Sequence, residues 1–297
     1  MNPAHADACI VCGSQNSRQL YASTYGGSVA GAEDYFLAHR TATAHGAIRK
    51  CSDCGFVFTS PRFRDEEYDT IYSSITATRE IMAQFDAAKT ARFRRLARYV
   101  RQHVPAGSRL ADFGCGDGAF LHQLDDPAAI GFEIGVGEPQ MVGRSELVLG
   151  NWADVVGTEK FPAGGFKAVT AFDVFEHLPR LAEDVALVRS LLEPGGYLFA
   201  SVPNSASFIA KAMGERWNMI LLEHLWYFSP ETFDRFLKPF GLERVAIVDV
   251  PFDASMAHLA SRLSQTFGMK GTFSPNAITR LVLPVPAGIM LGIYRAV

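Results

Sequence analysis

The chain has 297 residues, of which 48% are hydrophobic and 20% charged, enough for a real core in one large domain or in a medium domain with a small one beside it. The formal net charge of −3 excludes a chain-wide basic field for nucleic acid. The first ten residues hold Asp7 and Cys9 and no apolar stretch, so no secretory leader is read there.

Residues 1–75 carry four of the five cysteines, as Cys9-Ile10-Val11-Cys12-Gly13 and Cys51-Ser52-Asp53-Cys54-Gly55. Two residues between cysteines let both thiolates turn onto one metal, and the glycine after each pair permits the tight backbone turn beneath. Four sulfurs fill a tetrahedral zinc and leave no open position, so Cys9, Cys12, Cys51 and Cys54 are expected to hold a structural Zn2+. Such a pattern fits a reducing cytoplasm better than a disulfide framework. The 38 residues between the pairs imply an inserted loop or small subdomain; His39 and His45 inside it read as surface histidines.

Residues 76–205 alternate helical and strand-like patterns. Asp86 to His103 is a helix with Phe93, Leu96, Ala97 and Val100 on one face. Its basic side, Arg92, Arg94, Arg95, Arg98 and Arg101, reads as solvated. Strands are expected at 109–113, 129–133, 147–149, 166–172 and 197–202. Helices follow at 119–124 and around Leu181, Val185, Val188 and Leu192, with a turn at 193–196. The alternation implies an α/β fold built on a Rossmann-like parallel sheet covered on both faces. Residues 206–297 open with an aromatic-rich stretch that could cover a substrate. They end in the apolar run Leu281 to Ile293, which Pro284 and Pro286 interrupt. That run is shorter than the roughly 20 residues a membrane helix needs and reads as a buried strand.

Asp112-Phe113-Gly114-Cys115-Gly116-Asp117-Gly118 leaves a strand and enters a helix. Glycines there let a ligand approach the backbone where a β-carbon would clash, and Glu133 at the end of the next strand can accept both hydroxyls of a ribose. The loop also satisfies the looser dinucleotide fingerprint through Gly114, Gly116 and Ala119. Asp112 before the glycines and Asp117 among them suit a cationic ligand and would repel a diphosphate.

With Glu133, this segment resembles the first two motifs of class I S-adenosylmethionine (SAM)-dependent methyltransferases. Ala171-Phe172-Asp173-Val174-Phe175-Glu176-His177-Leu178 resembles their fourth-strand motif, and Leu192-Glu193-Pro194-Gly195-Gly196-Tyr197-Leu198 the turn into their fifth strand. The resemblance implies a seven-stranded sheet whose last strand is antiparallel. It implies that Gly114, Gly116 and Gly118 line the amino-acid part of SAM, that Asp112 orients the loop and the ammonium, and that Glu133 holds the ribose. Asp173 stands beside the cofactor. At the adenine position, where relatives often offer an acid, this chain has Asn151 and Trp152.

SAM is already activated, so the protein's tasks are positioning and, for an alcohol or carbon acid, removal of a proton. His177, and the pair Glu223-His224 in Glu223-His224-Leu225-Trp226-Tyr227-Phe228, are the candidate proton-transfer groups. A zinc module joined to this core resembles a subgroup that methylates carbons of nucleotide-linked deoxysugars. There, histidines matching His177 and His224 and a glutamate matching Glu223 move protons, and Tyr72 loosely resembles an N-terminal tyrosine. The subgroup's tyrosine two residues before the glutamate is Leu221 here. Broader relatives from glycan and secondary-metabolite clusters share Cys54-Gly55-Phe56-Val57-Phe58, Pro61 and Glu223-His224-Leu225. The expected acceptor is thus a small molecule such as a nucleotide sugar. The competing readings are an RNA methyltransferase that holds nucleic acid through the zinc module, a SAM-binding protein without catalysis, and a nicotinamide-dependent dehydrogenase.

Overall fold

The computed structural model describes residues 7–36, 44–76, 87–135, 139–255 and 282–297; His39 lies outside them. Their strands and helices, in chain order, are β1 (Ser17–Tyr21), β2 (Ile48–Cys51), β3 (Val57–Thr59), α1 (Asp65–Thr76), α2 (Ala87–Arg101), β4 (Leu110–Phe113), α3 (Ala119–Leu124), β5 (Ala129–Ile134), β6 (Gln140–Val142), β7 (Ser145–Gly150), α4 (Trp152–Val155), β8 (Phe166–Phe172), α5 (Leu181–Leu191), β9 (Leu192–Pro203), α6 (Phe208–Met213), β10 (Trp226–Tyr227), α7 (Pro230–Leu237), β11 (Leu242–Ser255) and β12 (Val282–Ala296).

Eight strands form the central sheet in the order β11-β12-β9-β8-β4-β5-β7-β6. β9, β8, β4, β5 and β7 run parallel, while β12 lies antiparallel between β9 and β11 and β6 folds back on β7. The sheet is therefore mixed, and β6 adds an edge strand to the expected seven. β4 is buried along its whole length because helices cover both faces, which is why such strands read as continuous apolar runs. On α2, Leu96, Ala97 and Val100 are buried as their spacing requires.

Three expectations are corrected here. The basic side of α2 is only partly solvated. Arg94 and Arg98 are exposed, but Arg92, Arg95 and Arg101 pair with Asp173, Asp253 and Asp126. Residues 193–196 lie within β9 beside a register irregularity against β8; Gly195 at φ 76° lets the strand deform without ending. In β12 the stretch up to Pro286 is largely at the surface, and burial begins at Ala287. From Ile289 onward β12 pairs with β9.

A second, antiparallel sheet, β1-β2-β3-β10, joins distant parts of the chain, since β3 pairs with β10 through Phe58↔Trp226 and Val57↔Tyr227. Phe56 cements the joint, packing at ring-centroid distances of 5.7 Å on Phe58, 6.2 Å on Trp226 and 4.9 Å on Phe228. Each such aromatic contact adds about 0.5–1.5 kcal/mol beyond area burial. After β10, α7 starts on a capping box between Ser229 and Thr232 with Pro230 in its first turn. The descent of the chain past residue 222 is thereby fixed from both sides.

Candidate active site

The glycine loop leaves β4 at the middle of the sheet, where neighbouring connections go to opposite faces and α/β sheets place ligands. Gly114, Gly116 and Gly118 all have left-handed φ, at 68°, 57° and 79°, but for different reasons. A β-carbon on Gly114 would strike Val174 at 2.6 Å and one on Gly118 would strike Val142 at 2.8 Å, whereas at Gly116 nothing lies within 4 Å. Gly116 is the open floor of the loop. Its N–H donates to Glu133 Oε2 at 2.6 Å, bringing the ribose-type carboxylate and the loop together.

Around this floor stand the other residues expected to bind cofactor. Asp112 is buried and accepts a 2.6 Å hydrogen bond from the Thr170 hydroxyl. Burial, against that hydrogen bond, pushes its carboxyl up to about 7. Asn151 accepts from Ala153 N–H at 3.0 Å and caps α4. Trp152 packs at 4.2 Å from Phe113 and 4.9 Å from Phe132, and its indole N–H has no hydrogen-bond partner among the described residues. Asp173 sits at φ 56°, held by its own N–H to the Ser201 hydroxyl at 3.0 Å and by that hydroxyl's donation to Oδ1 at 2.8 Å. α2 closes over Asp173 and over Asp117 of the glycine loop. Lys89 bonds Asp117 at 2.7 Å and Arg92 pairs with Asp173. Reading the arginines as a solvated face missed this, because helical periodicity does not show which basic side chains meet acids from elsewhere.

The proton-transfer candidates converge at the same end of the sheet. After β8 a single 3-10 turn, Phe175–His177, exposes its backbone to the 223–225 segment. Leu225 N–H donates to Glu176 O at 2.7 Å. His177 Nδ1 meets Glu223 O at 3.2 Å, and His224 Nδ1 meets Met219 O at 2.8 Å. A carbonyl only accepts, so each Nδ1 carries the proton and each Nε2 presents a lone pair. The rings lie 4.7 Å apart, nearly perpendicular. Burial lowers His177 to about 4, and burial and then His177 hold His224 well below the ordinary imidazole range, so both are neutral at pH 7. Burial raises Glu223 to about 7, and burial and then Asp173 raise Glu176 well above the usual carboxylate range. Tyr72 joins the group, donating from its hydroxyl to His177 O at 3.2 Å. His224 O accepts from Thr59 Oγ1 at 2.9 Å and from Tyr227 OH at 3.2 Å. Thr59 carries no sequence signal, and the Glu176-His177 pair at the end of the fourth strand is visible in the sequence without the burial of its carboxyl.

In the cysteine cluster, Cys9 Sγ lies 3.5 Å from Cys54 Sγ, and Cys12 Sγ lies 3.6 Å from Cys51 Sγ. All four sulfurs fall within 4.8 Å of one another. Four thiolates at about 2.3 Å from a tetrahedral zinc would be about 3.8 Å apart, so the donor set fits that ion. The two turns are built alike, with Gly13 N–H on Cys9 O at 2.7 Å and Gly55 N–H on Cys51 O at 3.0 Å. His45 is not a surface residue as expected. It is buried, with Nδ1 at 2.7 Å from Gly46 O and Nε2 at 3.4 Å from Glu215.

The model of a methyltransferase domain family matches residues 87–247, more than half of the chain. The chain belongs to this family. It is a SAM-dependent methyltransferase. The methyltransferase is 28% identical over 196 residues to the ubiquinone biosynthesis O-methyltransferase of Thiobacillus denitrificans, covering 56% of this chain and 83% of that one. It is 27% identical over 163 residues to the protein of the same name from Aromatoleum aromaticum, covering 50% and 69%. Among solved structures it is similar to a Burkholderia thailandensis 1,6-didemethyltoxoflavin-N1-methyltransferase with bound 1,6-didemethyltoxoflavin and S-adenosylhomocysteine. That likeness has a TM-score of 0.48 and 14% identity, covering 82% of this chain and 97% of that one. Among the described residues no helix of the methyltransferase is long and apolar enough to cross a membrane.

Proposed function

We propose that this methyltransferase transfers the methyl group of SAM to an oxygen of a small-molecule acceptor, a nucleotide-linked sugar or another glycan or secondary-metabolite intermediate. The observation that carries the reading is the pair His177 and His224, each with Nδ1 on a backbone carbonyl and Nε2 left as an acceptor. Neutral buried imidazoles cannot donate from Nε2, so they select an acceptor that brings its own O–H. The O-methyltransferase names of the relatives agree with oxygen as the target.

In this reading SAM supplies the electrophilic methyl. The open side of Gly116 receives its amino-acid part, Glu133 takes the ribose hydroxyls, and Asp112 and Asp173 face its positive charges, with Asn151 and Trp152 nearest the adenine. His224 draws the proton from the acceptor hydroxyl, with His177 beside it and Glu223 as the onward proton site. Tyr72 braces the His177 backbone from α1. Cys9, Cys12, Cys51 and Cys54 hold one structural zinc whose sheet carries Thr59, the residue that fixes the His224 carbonyl. An activity test is transfer of label from SAM to a panel of hydroxylated small molecules and to RNA, comparing wild type with His224→Gln. Label on a small molecule that depends on His224 supports the reading. Label on RNA alone would move the assignment to nucleic acid.

A further inference from the structure

We infer that Glu176, His177 and His224 form a second divalent-cation site, separate from the cysteine cluster, which competes with the acceptor for the proton-transfer groups. One carboxylate oxygen of Glu176 and a ring nitrogen from each histidine lie within 4.8 Å of one another. Because both Nδ1 atoms are committed to carbonyls, the nitrogens left to coordinate are the two Nε2 atoms. Metal-bound histidines recur in this arrangement, the far ring nitrogen donating to a backbone carbonyl so that tautomer and ring plane are fixed before the ion arrives. Glu176 Oε2 is buried and without a hydrogen-bond partner among the described residues, an orphan acceptor that a cation would satisfy.

With Glu176 deprotonated, as a metal ligand must be, the cluster offers three acceptors. An acceptor molecule answers them with an O–H; a cation answers all three at once. Two ligands about 2.1 Å from a tetrahedral ion are about 3.4 Å apart, so a group spread over as much as 4.8 Å has to draw together as the ion binds. Two imidazoles and one carboxylate suit a borderline first-row ion such as Zn2+, Co2+ or Fe2+ and leave coordination positions open, whereas Mg2+ and Ca2+ prefer all-oxygen sets. Asp173, near enough to act on Glu176 electrostatically, adds negative field, opposed by Arg92. An ion held on both Nε2 lone pairs removes them from proton transfer, so filling the site stops turnover. This consequence rests on the proton-transfer reading above; the site itself does not.

The test uses the full chain carrying the metal of its cysteine cluster, dialysed against a weak chelator and then titrated with Zn2+ under native mass spectrometry and with Co2+ under absorption spectroscopy. The expected result is one additional ion per chain. Its cobalt form should show weak ligand-field bands without a thiolate charge-transfer band. Glu176→Gln and His224→Gln should each weaken it by at least about tenfold while the cysteine-bound metal is retained, which also reports that the variants are folded. A wild type that takes up no ion beyond the cysteine cluster, or variants that bind the extra ion as wild type does, would overturn the site. Undiminished methyl transfer at full occupancy would overturn its competition with the acceptor. Absence of methyl transfer under all conditions would count against the proton-transfer reading and leave the ion count to judge the site alone.

Discussion

Replacing Glu133 with Ala should separate cofactor binding from chemistry. Glu133 Oε2 accepts from Gly116 N–H at 2.6 Å, so the carboxylate sits against the open floor of the loop. Two hydrogen bonds from ribose hydroxyls to a charged carboxylate contribute about 1.5–3 kcal/mol each. Their joint loss, taken at the lower bound, is about 3 kcal/mol, which at about 1.4 kcal/mol per tenfold weakens SAM binding by roughly 150-fold. Glu133 is only half-buried, so the fold should survive. Calorimetric titration of SAM and S-adenosylhomocysteine into wild type, Glu133→Ala and His224→Ala measures the division. Glu133→Ala should lose affinity by two orders of magnitude, and His224→Ala should bind within about threefold of wild type while its turnover falls. Equal loss in both variants, or full affinity in Glu133→Ala, would refute the placing of the ribose.

The cysteine cluster should return about one zinc per chain by metal analysis; fresh protein without metal would refute that site. Thr59→Val removes one of two hydrogen bonds to the His224 carbonyl. It should cost about 1 kcal/mol, lower the melting temperature by about 2–4 °C, and reduce kcat with the SAM Kd unchanged; an unchanged kcat would deny the sheet beside the cysteine cluster its positioning role. Asp112 gives a signed pH effect. Its carboxyl is raised to about 7 in the fold by burial, against 3.8 for the ordinary group. Folded protein therefore binds the extra proton between those values, and stability contributed by this residue falls as pH rises through the window. Asp112→Asn lacks that loss. Its melting temperature relative to wild type should climb between pH 4 and pH 7, and a pH-independent difference would contradict the buried charge.

Much of the sheet was legible because parallel strands covered on both faces must be apolar throughout. Phe166–Phe172 and Ala119–Leu124 appear at their expected limits, and Leu181 begins its helix as expected. The elements that escaped notice are those whose formation depends on distant partners. β10 is two residues long and exists because β3 lies beside it. β6 has exposed residues and is held by pairing to β7. At the site, residue type and loop position marked His177, Glu223 and His224. No local pattern could show that both Nδ1 atoms find carbonyls, that Glu176 Oε2 is an orphan, or that Arg92 turns inward to Asp173. The surface reading of His45 failed for the same reason, since its burial comes from packing that sequence spacing does not encode.

The most direct measurement is transfer of labelled methyl from SAM to hydroxylated small molecules, nucleotide sugars included, by wild type and by His224→Gln at saturating cofactor. The account predicts label on an acceptor oxygen with wild type and at least about a hundredfold slower transfer with the variant, the usual size of a lost general base. Equal rates in the two proteins would contradict it.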